Sequence, residues 1–373
     1  MSLTIDISAG VNVPAGLGRY ARSLVEAMLP YENPALFYNH IPGRTQPIEA
    51  FSHLKTHRVK LGYKPWRMAV WMGHLAHIPF NRLVPDTDLF HATEHLLMPL
   101  YGIKTVMTVH DLIFKLYPEH HKRLNYWFLN AAMPLFVRRA DAIIAISEAT
   151  KRDLISAYGT PAEKIHVIYE AAASHFQPQS GSQIEMVRKH YHLPEKFILV
   201  VGTIEPRKNY SRLLDAIVTL RKAFPDLYLV VVGSKGWLYE PFLQHIEKLD
   251  AQEWVIFPGF MPDEDLPAVY AASTLTAMPS LYEGFGLPIL EAMASGVPVA
   301  SSHAASLPEL GGDAAEYFDP LHVESIIDTL HKLLIDADKR FSMREAGFQQ
   351  AAKFSWDHAA RETGAVYDTF RSL

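Results

Sequence analysis

The sequence predicts an α/β protein of two domains, each built around a parallel sheet. Three observations carry this. The chain has 373 residues, beyond the size at which a single hydrophobic core usually stops growing. Short apolar runs of strand length alternate with amphipathic stretches, the pattern that folds into strand–helix–strand units. After a polar break, Gln177-Pro178-Gln179-Ser180-Gly181-Ser182-Gln183, the alternation restarts at Phe197-Ile198-Leu199-Val200-Val201-Gly202. The break therefore reads as a linker.

In the first half, apolar and β-branched runs place strands near 3–7, 35–41, 88–92, 104–109, 142–147 and 165–168. Amphipathic spacing places helices near 17–29, 66–78, 121–139 and 148–157, the last capped by Ser147 with Thr150 in its first turn. In the second half a helix opens at Asn209, and strands recur near 197–202, 227–233, 254–257, 274–278 and 297–301. The tail from Ser355 to Leu373 reads as helical. No internal repeat and no low-complexity tract interrupts this order.

Composition narrows the class. Apolar residues make up 49% and charged residues 20%, mean hydropathy is +0.00, and no apolar run reaches transmembrane length. A soluble globular chain is expected. Leu3–Ile7 looks like a first strand with no basic stretch before it, so no signal peptide is expected. The absence of cysteine excludes disulfides, thiolate metal sites and cysteine nucleophiles, and makes the cytoplasm the natural compartment. Net charge is −5, divided unevenly: residues 1–176 hold 18 Lys+Arg against 14 Asp+Glu, and the remainder 17 against 26. The mildly basic first half suits an anionic substrate or membrane surface as well as it suits a scattered solvated surface. No nucleic-acid partner is expected.

The most informative stretch runs from 283 to 298: Glu283-Gly-Phe-Gly-Leu-Pro-Ile-Leu-Glu291-Ala-Met-Ala-Ser-Gly-Val-Pro298. Apolar runs on both sides make it strand, glycine loop, short helix, strand. Gly284 and Gly286 leave room for a ligand against the backbone. Pro288 suits the first helical position and Gly296 the stop. Unpaired N–H groups at the helix start favour phosphate, and Glu283 and Glu291 are placed to grip hydroxyls. An acid beside a helix start can also serve the dipole alone. The specificity lies in the combined spacing.

A second segment is Thr203-Ile204-Glu205-Pro206-Arg207-Lys208-Asn209. Here two cations precede a helix that Asn209 would cap. They oppose the helix dipole, and an anion between them would remove the conflict. A diphosphate fits, with Arg207 as a bidentate fork and Lys208 as a point charge.

His110-Asp111 directly follows the strand Thr105–Val109. Ligands bind at the carboxyl ends of strands in an open parallel sheet, so His110 could donate to a hydroxyl or stabilise developing charge. Asp111 either orients the imidazole or contacts an acceptor. Gly16-Leu17-Gly18-Arg19-Tyr20-Ala21 formally matches a dinucleotide fingerprint. The loop from Ile7 is long, however, and the strand near 35–41 ends in His40-Ile41-Pro42-Gly43 with no acid for a ribose. For Ser147 a capping role suffices, with a minor role in the cleft left open. His91 with His95 and His74 with His77 have ligand-like spacing, but no carboxylate set completes a metal motif. The aromatic and Met-rich stretch Trp66–His74, flanked by Lys64 and Arg67, reads as core at helical spacing or as a lipid-facing surface.

Together these motifs resemble retaining nucleotide-sugar glycosyltransferases of family 4 (group 1), which have the GT-B fold of two Rossmann-like domains facing across a cleft. The resemblance rests on the E-x7-E segment from Glu283 to Glu291, an E-x-R-K-N motif at Glu205–Asn209, the His110-Asp111 pair and a G-x-G-R-Y-like loop at Gly16–Tyr20. It covers essentially the whole second domain and isolated motifs of the first. It implies an acceptor-binding domain over 1–175, a nucleotide-sugar-binding domain over 176–355, and a helix over 356–373 that crosses back to the first domain.

The implied catalytic residues are His110, Arg207, Lys208 and Glu283. The basic pair, with the amides near Gly284, Phe285, Gly286 and Leu287, would stabilise the departing nucleotide diphosphate. Glu283 would bind sugar hydroxyls and Glu291 the ribose. Gly16, Gly18 and Gly202 would border the donor, and Asp111 and Ser147 the acceptor or the edge of the cleft. His303 and Ser306 lie in a segment that borders nucleotide or sugar in relatives. No nucleophile is evident, so front-side displacement on one face is expected, with no cofactor and no metal.

The Gly-Leu-Gly-Arg-Tyr and Val-Gly-Thr-Ile-Glu-Pro-Arg-Lys-Asn stretches look most like bacterial mannosyltransferases of cell-surface polysaccharide assembly. GDP-mannose is therefore the first donor and UDP-sugars the alternative, with a saccharide or lipid-linked saccharide as acceptor and peripheral membrane contact as a further expectation. A nucleotide-sugar epimerase of the same fold, a nicotinamide-dependent oxidoreductase and a non-catalytic carbohydrate-binding subunit are the rival classes.

Overall fold

In the computed structural model, residues 1–371 are described apart from 13–15, 44, 46–47, 121–122 and 260. The chain divides into two compact units. The first comprises residues 1–116, 123–170 and 355–373, and the second 117–122 and 171–354.

The first unit is built on seven strands: β1 (Leu3–Asp6), β2 (Ala35–Asn39), β3 (Thr56–Val59), β4 (Leu89–Ala92), β5 (Lys104–Val109), β6 (Ala142–Ala145) and β7 (Ile165–Val167). They lie in the order β3-β2-β1-β4-β5-β6-β7, with all pairings parallel. Parallel neighbours need crossover connections, which cover both sheet faces and explain the continuous apolar strands. One face packs on a core that includes Phe37, Phe90, Met107, Phe136 and Ile143, all fully buried. The terminal helix Trp356–Arg371 also belongs to this unit. It buries Ala359, Ala360, Thr363, Val366 and Tyr367, and the Tyr367 hydroxyl meets His91 Nδ1 at 2.6 Å. Residues 372–373 of the expected tail, and 121–122 of the expected helix 121–139, lie outside the described residues.

The second unit has β8 (Phe197–Val201), β9 (Tyr228–Val232), β10 (Val255–Ile256), β11 (Leu275–Met278), β12 (Val299–Ser302) and β13 (Ala315–Phe318). Their order is β10-β9-β8-β11-β12-β13, again parallel throughout. Its core gathers Ile198, Leu213, Ile217, Leu229, Leu275 and Leu330 between sheet and helices.

Several sequence expectations need correction. The polar break is not a linker across its length. Ser180 and Gln183 form a reciprocal capping box that opens the helix Gly181–Tyr191. Strands β3 and β13 have no counterpart among the expected ones. Both are edge strands, and the half-buried Thr56-His57-Arg58-Val59 carries no apolar run. The helix expected at 66–78 spans Tyr63–Leu75 and stops before His77, which has a left-handed φ of 55°. Its buried residues are Trp66, Val70, Gly73 and His74, while Met68, Met72 and Leu75 are exposed. The core reading of this stretch thus holds for one face only.

Candidate active site

In each sheet the strand order reverses once, and an open parallel sheet leaves a ligand crevice beyond its carboxyl ends at such a reversal. In the second unit the reversal lies between β8 and β11. From β8 the chain continues through Gly202, with φ +147°, into a single 3₁₀ turn, Pro206–Lys208. A Cβ on Gly202 would sit 3.3 Å from the Lys208 Cε and Nζ atoms, so the glycine lets the lysine fold back over the strand end. From β11 the chain runs through Ser280 to Glu283.

These two segments meet in a buried ionic cluster. Lys208 Nζ donates to Glu283 Oε1 at 2.7 Å, and the Ser280 hydroxyl donates to the same oxygen at 2.6 Å. Arg207 NH1 lies 2.6 Å from Glu283 Oε2 and donates to the Tyr282 carbonyl at 2.5 Å. Its NH2 group bonds Glu205. Arg207 and Lys208 are only 9% and 8% exposed. Burial pushes the Glu283 carboxyl up, but Arg207 and Lys208 more than offset this and hold it down at about 2. Glu205 is held above its ordinary value by burial, against the pull of Arg207.

This geometry revises two expectations. Asn209 is not a side-chain cap: it adopts a left-handed conformation at φ 59° and makes no capping bond. Its amide donates instead to the carbonyls of Pro279 at 3.0 Å and Pro320 at 2.8 Å, tying β8 to the β11 loop. The two cations are not left facing a helix dipole, because Glu283 and Glu205 neutralise them within the chain. Glu283, expected on sugar hydroxyls, is paired with both cations.

The glycine loop has its own structural reasons. Gly286 has φ +120°, and a Cβ there would lie 2.6 Å from Leu307 Cδ2, so close packing as well as backbone conformation demands glycine. Phe285 is buried. The helix runs Leu287–Ala294 with Pro288 at its second position, one later than expected, and Gly296 just past its end at φ +79°. Glu291 is 2% exposed and accepts the Tyr270 hydroxyl at 2.8 Å. Ser306 donates to the Glu283 carbonyl at 2.9 Å and to that of Phe285, so it braces the loop. His303 Nδ1 meets the Phe318 carbonyl at 2.9 Å.

In the first unit His110 follows β5 and is buried. Its Nε2 donates to the Thr93 carbonyl at 2.9 Å, and its Nδ1 faces Glu170 Oε1 at 3.3 Å. Both partners are acceptors, an arrangement that favours a proton on each ring nitrogen. Burial opposes this charge, but the bond and charge of Glu170 outweigh it and raise the imidazole pKa. Asp111 does not orient the ring. Its Oδ1 accepts the Ile113 N–H at 3.0 Å, closing the turn, and Glu170 at the end of β7 takes the orienting place. Ser147 accepts the Thr150 N–H at 3.0 Å as a cap, and the Thr150 hydroxyl donates to the His110 carbonyl at 3.2 Å. Gly16 opens the helix Gly16–Met28 with open space where a Cβ would be, and Gly18 is buried in its first turn. The paired histidines serve the fold: His91 bridges Tyr367 and Thr108, and His74 Nε2 bonds the Leu97 carbonyl at 2.7 Å. Among the described residues no group of three or more His, Asp or Glu side chains could hold a metal ion.

Comparison with known proteins agrees with this arrangement. A family model described as glycosyl transferases group 1 matches residues 183–350, and one described as glycosyltransferase family 4 matches residues 14–172. The O-antigen chain mannosyltransferase B of Escherichia coli is 33% identical over 285 residues, covering 75% of this chain and 74% of that one. The chain belongs to the group 1, family 4 glycosyltransferases. A D-inositol 3-phosphate glycosyltransferase of Corynebacterium aurimucosum is 31% identical, covering 77% of this chain and 73% of that one. The chain spans about a third of a further relative, the E. coli serotype-specific mannosyltransferase WbdA, at 33% identity over 69% of this chain and 32% of that one. Among solved structures, sucrose-phosphate synthase from Thermosynechococcus elongatus superposes with a TM-score of 0.82 at 20% identity, covering 100% of both chains. The lipopolysaccharide glycosyltransferase WaaG gives 0.73 at 18% identity, covering 97% of this chain and 98% of that one. The likeness to these two structures establishes the GT-B fold.

The glycosyltransferase carries site residues that its motifs alone do not reveal. Glu170 emerges only when strand ends from distant parts of the chain meet, and Ser280 only when the loop after β11 turns its hydroxyl onto Glu283. Glu205 lay inside a recognised motif, but its pairing with Arg207 requires the 3₁₀ turn.

Proposed function

We propose that this glycosyltransferase moves mannose from GDP-mannose to a saccharide or lipid-linked saccharide in cell-surface polysaccharide assembly, with retention of anomeric configuration and without a metal. The observation that carries the reading is the convergence of Arg207 and Lys208, both buried, at the strand-order reversal of the second sheet. A buried cation pair beside a helix N-terminus suits a departing diphosphate, whose charge grows as the glycosidic bond breaks. The mannosyltransferases among the relatives favour mannose as the transferred sugar.

In this mechanism the incoming diphosphate and Glu283 compete for the same two cations. Phosphate oxygens take Lys208 and Arg207, and the released Glu283 carboxylate turns to a sugar hydroxyl. Glu291, at the far end of the signature helix, takes the ribose. His110 would reach a sugar hydroxyl only by leaving the Thr93 carbonyl. The acceptor hydroxyl attacks on the face the diphosphate leaves, and its proton passes to the departing phosphate oxygen.

Lys208→Ala should lower kcat with GDP-mannose by about a hundredfold or more, because it removes charge met mainly in the transition state. Turnover at the wild-type rate would overturn the assignment. Thermal shifts with GDP, UDP and ADP select the base, since ligand at a hundred times Kd stabilises by about 2.7 kcal/mol. NMR of the product reports the anomer. Conversion of the donor without any acceptor would favour the epimerase reading.

A second observation supports peripheral membrane contact. The helix Tyr63–Leu75 exposes Met68, Met72 and Leu75, and Arg123–Arg139 exposes Leu124 and Trp127. The two helices are joined by the Trp71–Phe128 ring contact and by Arg67 over the Phe128 ring at 4.4 Å. Apolar side chains beside Lys64, Arg67 and Arg123 suit an anionic lipid surface. Among the described residues no helix is long and apolar enough to cross a membrane. The protein should float with anionic liposomes, and a Met72→Ser, Trp127→Ser variant should not. Equal flotation of both would remove this contact.

A further inference from the structure

The first sheet has its own strand-order reversal, between β1 and β4. Asp6 ends β1 and Glu94 lies two residues beyond β4, so a carboxylate stands on each side of it. Both residues are buried, at 1% and 4% exposure. One oxygen of each is engaged: Asp6 Oδ1 accepts the Ser8 N–H and Glu94 Oε2 accepts the Tyr63 hydroxyl, both at 2.8 Å. The other oxygens, Asp6 Oδ2 and Glu94 Oε1, are buried without a hydrogen-bond partner among the described residues. On the neighbouring strand β2, the Asn39 Oδ1 atom is also without a partner, while its amide group donates to the Leu61 carbonyl at 2.9 Å.

Buried acceptors without donors are unfavourable and uncommon in folded proteins. Here three of them occur on adjacent strand ends at the point where a parallel sheet binds ligands. The chemistry missing from this place is a set of donors. An anion supplies none, whereas a sugar supplies several hydroxyls on one rigid ring. Adjacent strands lie about 4.8 Å apart, a span that two hydroxyls of one hexose can bridge. Burial pushes the Asp6 carboxyl up to about 7, with the nearby Glu94 charge adding to it, which marks a group in want of a donor or a proton.

Thr93 joins this place to His110. Its hydroxyl donates to the Asp6 carbonyl at 2.5 Å, and its own carbonyl accepts His110 Nε2 at 2.9 Å. Tyr63, half-buried, lies under the Arg67 guanidinium at 5.2 Å from the ring centroid.

We propose that Asp6 and Glu94, on either side of the strand-order reversal of the first sheet, bind a pair of hydroxyls of the saccharide acceptor. The inference rests on the glycosyl-transfer reading for the nature of the ligand, and it adds the residues that recognise it. Charge-assisted bonds to hydroxyls are stronger than neutral ones, so the isosteric amides Asp6→Asn and Glu94→Gln should weaken sugar binding without changing side-chain volume.

The test is saturation-transfer NMR with α-mannobiose on the full chain, with melting temperature as the folding control and GDP-mannose binding read separately. The wild type should bind mannobiose, and each amide variant should lose at least tenfold in affinity. Tyr63→Phe removes only the hydroxyl that holds Glu94, and should lose about threefold. Absence of mannobiose binding to the wild type, or equal binding by all four proteins, overturns the proposal. A melting shift with MgCl₂ that replaces the sugar effect and vanishes in the variants also overturns it, in favour of a cation site. Failure of GDP-mannose to bind would count against the donor reading alone, because mannobiose binding is measured without it.

Discussion

Replacing Glu283 by glutamine tests the ionic cluster at its centre. The substitution keeps the volume and removes the charge that faces Lys208 at 2.7 Å and Arg207 at 2.6 Å. Native Glu283 is held at about 2 against an ordinary 4.5, which at 1.36 kcal/mol per unit amounts to about 3 kcal/mol. Removing one partner of a buried pair costs roughly 3–5 kcal/mol by general experience, so the two figures agree. For a unit of this size, 3 kcal/mol lowers Tm by roughly 6–12 °C.

The pH dependence has a definite sign. The native carboxylate holds its proton less well than the unfolded one, so its contribution is complete above about pH 4.5 and fades as pH falls toward 2. Calorimetry at pH 7 and pH 3 should show a large gap between wild type and variant that narrows in acid. A difference below 2 °C at pH 7, or an equal gap at both values, would refute the reasoning. The same variant should bind GDP more tightly than the wild type while losing turnover, because the carboxylate no longer competes for the cations.

Two further perturbations address the remaining parts. Glu170→Gln removes the negative charge that faces His110 Nδ1 at 3.3 Å, so the imidazole loses its proton at lower pH. The alkaline limb of kcat/KM should move to lower pH, as expected for loss of one buried partner charge, and an unmoved limb would show that this pair does not set it. The stability that this pair contributes is fully present below the ordinary histidine value and is lost as pH rises through the raised native one. Gly286→Ala places a methyl group 2.6 Å from Leu307 at φ +120°. Backbone strain and overpacking together should cost roughly 3 kcal/mol, read as a lower urea midpoint, and an unchanged midpoint would show that the loop adapts.

Element type was legible wherever burial forces long apolar runs. Strands such as Phe197–Val201 and Leu275–Met278 are covered on both faces and carry the signal in every residue. It fails at the sheet edges, where β3 is half-exposed and polar. It also fails where a local rule has two outcomes. Ser180-Gly181-Ser182-Gln183 has linker composition, yet the same residues make a capping box. Asn209 has the composition of a cap, yet its side chain is drawn to two carbonyls from other loops.

The charged residues followed a different logic. Arg207 and Lys208 stood out because two cations before a helix are locally unfavourable, and the fold brings both to the strand-order reversal of the second sheet. The sequence alone could not supply their partner, because Glu283 is separated from Lys208 by 75 positions and meets it only through the parallel pairing of β8 with β11. The same holds for His110, whose neighbour in sequence, Asp111, serves the turn, while Glu170 arrives from the end of β7. A motif therefore marks where a charge must be answered, and the sheet order decides what answers it. In the second unit the answer is Glu283, which pairs with both cations. At the reversal of the first sheet the charges are carboxylates whose outer oxygens have no hydrogen-bond partner among the described residues, and it is this contrast that the proposed diphosphate and hydroxyl sites rest on.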